Sequence, residues 1–201
     1  MPEVKKAELI EGIVYMPSPV SQEMHSNPHV RVAYWVCHYA ARTPGTEPGD
    51  NATVRLDLDN EPQPDINLFI RPECGGQCKL VEGYIEGAPE FVAEVANSST
   101  SIDMHPKFKA YRRNGIREYL VWRVADNAVD WFVLRGGEYE KLAVSSDGLF
   151  KSIVFPGLWL NPEALLKNDL AGLAASVEQG VATTEHAAFV KTLQQNAAKA
   201  R

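Results

Sequence analysis

The sequence has no apolar run as long as the ~18 residues that a membrane span requires. Its charged opening, Met1 to Lys6, lacks the apolar stretch of a secretory leader, so a cytoplasmic protein is the expectation. Positive charge is scarce: 20 Lys and Arg stand against 26 Asp and Glu, a net charge of −6. That argues against a protein that coats nucleic acid through a basic stripe. It leaves room for an enzyme that meets phosphate through a metal ion and a few local cations. Cysteine is rare, with only Cys37, Cys74 and Cys78, and an odd, low count fits a reducing compartment without a disulfide framework. Cys74-Gly-Gly-Gln-Cys78 has the look of half a zinc site. Structural zinc takes four ligands, and no second Cys/His pair stands at a suitable spacing, so the segment reads as a flexible Gly-rich loop. Internal repeats and domain linkers are also missing.

What is present suits one domain with a sizeable core and an appendage: 201 residues, 45% of them hydrophobic. Residues 8–16 read as a strand, broken by Pro17-Ser18-Pro19. From about Ser21 to Ala41, Val30, Ala33, Tyr34 and Cys37 recur at helical spacing, and Pro28 sets the start of the regular helix. Residues 52–58 alternate as a half-buried strand that should pair with a second strand, Asp65 to Ile70. Residues 72–88 read as a long surface loop. Phe91 to Ala96 is an apolar run with one carboxylate inside it, the pattern of a strand buried on both faces. After the polar turn 97–101, Asp103 is a plausible N-cap for a helix that Asn114-Gly115 ends. Three further strands follow, near 118–124, 129–134 and 139–143, with turns at Asp126-Asn127 and Gly136-Gly137. A short strand is expected near Ser152 to Phe155. Residues 1–160 form the expected main domain and 161–201 a helical extension.

One constellation carries chemistry. Asp65 opens a strand, Glu94 lies inside the apolar strand, and Lys107 sits one turn into the next helix. A buried carboxylate needs a partner, a proton or a metal. Two carboxylates from neighbouring strands can hold Mg²⁺ or Mn²⁺, and a lysine can orient the attacking water or offset charge on a phosphate. Asp103, Lys107 and Tyr111 share one helix face. Glu94 points to the side of Val92 and Ala96, opposite Phe91, Ala93 and Val95.

From Glu8 to Leu160 the chain resembles the Uma-two family of restriction-endonuclease-like proteins, a branch of the PD-(D/E)XK superfamily. The resemblance rests on Glu8-Leu-Ile-Glu-Gly12, Met16-Pro-Ser-Pro19 with His25 after it, and Pro64-Asp65-Ile66. It continues through Pro89-Glu-Phe-Val-Ala-Glu94-Val95, then Asp103 with Lys107 and Tyr111, Gly115-Ile-Arg-Glu-Tyr119 and Phe155-Pro-Gly-Leu-Trp-Leu160. It implies an α/β (α+β) fold: a central mixed sheet flanked by helices, with additional antiparallel strands. It implies metal-dependent hydrolysis of nucleic acid, most readily DNA, with Asp65, Glu94 and the Val95 carbonyl on the metal and Lys107 as the catalytic lysine. In much of the superfamily that lysine lies two residues after the glutamate, where this chain has Ala96; Lys107 on the following helix fits the role, with Lys109 as fallback. The turn after Glu94 departs from the family pattern, reading Asn97-Ser-Ser-Thr100 instead of Ser-Pro-Ser-Thr.

Blander readings stand beside these. Glu94 and Lys107 could form an ion pair without metal, Tyr111 could be core packing, His25 could be a surface or structural histidine, and Glu11 a solvated strand residue, with Glu8 the better family match. Leu120, Val121, Trp122, Trp131 and Phe132 suit sheet packing or a dimer surface. The functional alternative is an inactive, homodimeric module on the same fold.

Overall fold

The computed structural model describes residues 7–16, 19–97 and 102–200. The charged opening, the Pro17-Ser18 break and most of the polar turn after Glu94 lie outside the described residues. The expected first strand is a hairpin, β1 (Glu8–Ile10) and β2 (Ile13–Tyr15). Glu11 and Gly12 turn the chain, both at positive φ (52° and 75°), the backbone a two-residue hairpin favours.

A π-helical turn, Gln22–Ser26, leads into α1 (Asn27–Arg42), with Ser21 Oγ accepting from the Met24 N–H (3.3 Å) and Pro28 in the first turn of α1. The helix buries Val32, Trp35, Val36 and Tyr39, whereas Val30, Tyr34 and Cys37 are exposed. The expected apolar face is therefore corrected. Residues 32–39 are apolar nearly all round, and the bulk of Trp35 and Tyr39 decides which side is buried.

β3 (Thr46–Asp50) follows, then β4 (Val54–Arg55) and β5 (Ile66–Ile70). The expected strand over 52–58 shrinks to two residues because Asp57 to Asn60 turn back on themselves, leaving Leu58 97% exposed. Its expected pairing with β5 is also corrected: β5 pairs with β3 instead. The stretch expected to be a loop contains β6 (Lys79–Val81) and β7 (Tyr84–Glu86), which join β4 in a three-stranded sheet and bury Cys78 and Ile85.

β8 (Phe91–Ala96) is fully buried, as its apolar run demands. A second π-helical turn, Asp103–Lys107, enters α2 (Phe108–Arg113), and Gly115 closes it at φ 84°. Then come β9 (Glu118–Arg123), β10 (Ala128–Arg135) and β11 (Glu138–Lys141). The short strand expected near 152–155 lies earlier, as β12 (Phe150–Lys151), paired with β13 (Trp159–Leu160). The backbone N–H groups of Ile153 and Val154 instead serve the buried Glu118 carboxylate. Helices α3 (Pro162–Leu166), α4 (Leu170–Val181) and α5 (Thr184–Lys199) complete the chain.

The main sheet is mixed, in the order β11-β10-β9-β8-β5-β3, with β8 and β9 parallel. Parallel neighbours need a crossover, and α2 provides it. On one face α1 and the C-terminal helices pack over Leu68, Phe91, Val95, Leu120 and Trp131, with Leu165, Leu173, Val177 and Leu193 in the same core. On the other face Val92, Ala96, Val121 and Phe132 meet Tyr111 and Ile116. Trp122, Trp131 and Phe132 are thus packing residues, the first two on one face and the third on the other. Pro48 is tolerated in β3 because β3 is an edge strand. Among the described residues no helix is long and apolar enough to cross a membrane.

Candidate active site

The site lies where β5 begins and β8 ends. Ile66 pairs with Ala93, so Asp65 and Glu94 fall at the same end of the adjacent strands. The Asp65 N–H reaches Glu94 Oε2 at 3.4 Å, and Asp65 Oδ2 accepts from the Val95 N–H at 2.7 Å. Glu94 leaves the sheet on the Val92 and Ala96 face, as strand parity requires, and meets the face of α2. There Lys107 Nζ donates to Glu94 Oε1 (3.0 Å), and the Tyr111 hydroxyl donates to the same oxygen (2.8 Å).

Lys107 is 4% exposed and serves three carboxylates: Glu8 Oε1 at 2.9 Å, Glu94 Oε1 at 3.0 Å and Asp103 Oδ1 at 3.6 Å. Glu8 arrives on the first hairpin and is fixed by the Gln63 N–H (2.8 Å). The structure therefore brings together Asp65, Glu94, Lys107, Glu8, Asp103 and Tyr111. Asp103 is not the helix cap that its position suggested. The π-helical turn buries it, and its carboxylate turns to Lys107 four residues on. Lys109 is exposed and outside the cluster.

Three carboxylates on one ammonium, with Asp65 alongside, leave a surplus of negative charge in a buried place. Burial raises the Glu94 carboxyl; Lys107 pulls it back, but Asp103, Asp65 and Glu8 push it up again, and the result is well above the usual carboxylate range. Burial would lower Lys107, but Glu94, Asp103 and Glu8 outweigh it and keep the ammonium protonated. Two other buried carboxylates differ in kind. Glu90 accepts from the Ile70 and Gln77 N–H groups, and Glu118 from Ser152, Ile153 and Val154. Backbone N–H groups, with the Ser152 hydroxyl, satisfy those two, which marks them as structural.

The open side of the site belongs to α1 and the π-helical turn before it. Asp65 Oδ1 faces His25 Nε2 at 3.4 Å and His29 Nδ1 at 3.5 Å. Burial would raise Asp65, but His25 and His29 overcome it and hold the carboxyl well below its usual range. His29 Nε2 also meets Asp50 Oδ1, at the end of β3, at 2.7 Å. The sequence reading missed His29 and Asp50. The four-residue spacing of His25 and His29 was the available signal for the first; nothing in the sequence links Asp50 to either.

The Uma2 family model, described as "Putative restriction endonuclease", matches residues 1–163. No curated protein matches this sequence. Among solved structures, a crystal structure described as that of a "putative nuclease" from Anabaena variabilis matches with a TM-score of 0.57 at 14% identity, over 85% of this chain and 90% of that one. At that identity the likeness is one of fold, a mixed sheet flanked by helices. The extent of the family match is decisive, and the chain belongs to the Uma2 family.

Proposed function

We propose that this chain hydrolyses phosphodiester bonds of nucleic acid, DNA foremost, at Asp65, Glu94 and Lys107, with Mg²⁺ or Mn²⁺ as cofactor. The observation that carries the reading is the surplus of buried carboxylate around Lys107. Carboxylates buried without enough counter-charge are costly, and a divalent cation is the ligand that offsets them. The donors fit such an ion, since carboxylate oxygens are the hard ligands Mg²⁺ takes. Asp65 and Glu94 would hold it, joined by the Val95 carbonyl, which shares a strand edge with the Val95 N–H that bonds Asp65. Bound there, the ion supplies Lewis-acid polarisation and a more acidic water.

The chain's own residues do the positioning. Lys107 and Tyr111 pin Glu94 by Oε1 and leave Oε2 turned toward Asp65. Glu8 and Asp103 hold Lys107 in place. The ammonium keeps its proton and offsets charge that builds on the phosphate in the transition state. Family membership supports the reaction class.

The test is nicking of supercoiled plasmid, with single-stranded DNA and RNA in parallel, in Mg²⁺, Mn²⁺ or EDTA. The wild type should cut only with metal, and Asp65→Ala, Glu94→Ala and Lys107→Ala should each lose roughly 100-fold or more. Variants that cut as fast as the wild type would sink the proposal. The 3.0 Å contact of Lys107 with Glu94 favours a second reading, an inactive homodimeric module whose ion pair is purely structural. Mg²⁺ calorimetry separates the two, because only the hydrolytic centre has Mg²⁺ binding that both carboxylate variants abolish.

A further inference from the structure

His25 Nε2, His29 Nδ1 and Asp65 Oδ1 converge without forming good hydrogen bonds to one another. Their ligand atoms all lie within 4.8 Å, and the two His–Asp separations are 3.4 and 3.5 Å, beyond the range of a well-formed N–H···O contact. They match the edge of a tetrahedron of donors around a metal, roughly 3.4 Å for bonds of about 2.1 Å. His29 also has the orientation a ligand needs: its other nitrogen is held by Asp50 at 2.7 Å, the carboxylate–histidine arrangement that fixes ring and tautomer in metal sites. An open cleft of about 490 Å³, lined by His25, Ser26, His29, Asn51 and Gln63 with two valines, gives access and room for a further ligand. Glu94, Lys107 and Tyr111 do not line that cleft and are buried.

We infer that His25, His29 and Asp65 form a nitrogen-bearing metal position, oriented by Asp50, that takes borderline transition ions such as Co²⁺, Zn²⁺ or Mn²⁺ in preference to Mg²⁺. Two imidazoles beside one carboxylate favour such ions, whereas Mg²⁺ dehydrates reluctantly and takes oxygen. The position shares Asp65 with the proposed hydrolytic centre but does not depend on that activity.

The probe is Co²⁺, read by calorimetry and by its visible ligand-field bands, with Mg²⁺ as competitor. The wild type should bind Co²⁺ more tightly than Mg²⁺, with nitrogen couplings to Mn²⁺ visible by pulsed electron paramagnetic resonance. His29→Ala should abolish the bands. Asp50→Asn, at an exposed residue that leaves the fold intact, should weaken Co²⁺ binding by about 10- to 100-fold. Glu94→Gln should keep Co²⁺ binding while losing nicking, so failure of the nuclease reading and failure of this one are distinct. Equal Co²⁺ affinity in wild type, His29→Ala and Asp50→Asn would overturn the inference. Loss of Co²⁺ binding in Glu94→Gln would also overturn it, by reducing the two positions to one.

Discussion

Replacing Lys107 with methionine keeps an unbranched side chain one atom shorter and removes the one charge that Glu8, Glu94 and Asp103 share. Truncating one partner of a buried ion pair costs about 3–5 kcal/mol, because the other charge stays buried and uncompensated. Here three carboxylates are left, so the upper part of that range applies to the metal-free protein. For a domain of this size each kcal/mol moves the melting temperature by about 2–4 °C, so a loss of about 4–5 kcal/mol gives a fall of roughly 8–20 °C in EDTA. A divalent ion should reverse part of the loss, since binding to the folded state alone adds about 2.7 kcal/mol at a hundred times its Kd. Melting curves of the wild type, Lys107→Met and the exposed control Lys109→Met, each in EDTA and in Mn²⁺, read both effects. A Lys107→Met protein that melts with the wild type in EDTA would refute the charge accounting, and with it the main physical support for a metal at this cluster.

Glu94→Gln removes one carboxylate from an overfull cluster and keeps an oxygen for Lys107 and Tyr111. Its stability in EDTA should stay within about 1 kcal/mol of the wild type or rise while nicking is lost; a melting loss as large as that of Lys107→Met would contradict this. His186, on α5, packs on Tyr39 and bonds Thr43, and burial lowers it from its ordinary value of 6.5 against a hydrogen bond to Val181. The unfolded chain therefore takes up the proton first, so stability is lost as pH falls through about 6.5; urea midpoints at pH 7.5 and 5.5 should differ more for the wild type than for His186→Gln. Gly180→Ala would normally stabilise a helix by up to ~1 kcal/mol, but a Cβ there would collide with the Gly157 carbonyl. Chemical denaturation should show a loss of about 1–3 kcal/mol instead.

How far the sequence could be read follows from how local each signal is. β8 and β9 are legible because strands buried on both faces must be apolar throughout, and Glu94 stands out only against that background. Lys107 and Tyr111 follow from helix spacing, which survives the π-helical turn ahead of α2. β3 was not legible: Thr46-Glu-Pro-Gly-Asp50 has neither alternation nor β-propensity, and it is a strand because β5 offers it an edge. β6 and β7 are three residues each, too short to give a period. The buried face of α1 was misread because both faces are apolar, and only the sheet beneath distinguishes them. His29 and Asp50 were missed for the same reason as β3: their meeting depends on an edge pairing that no local pattern announces.

The two carboxylates at the strand ends divide their oxygens in the same way. Glu94 gives Oε1 to Lys107 and Tyr111 and turns Oε2 toward Asp65; Asp65 gives Oδ2 to the Val95 N–H and turns Oδ1 toward the histidines. One oxygen of each is thus fixed by the protein, and the other faces the next group along the site. The fixed half is sealed beneath α2, where burial penalises any error in charge, and that penalty made it legible as a buried carboxylate needing a partner. The other half, Asp65 Oδ1, is met by His25 and His29, which line an open cleft. The metal position inferred above gives the choice of His25, His29 and Asp50 on that side a chemical reason.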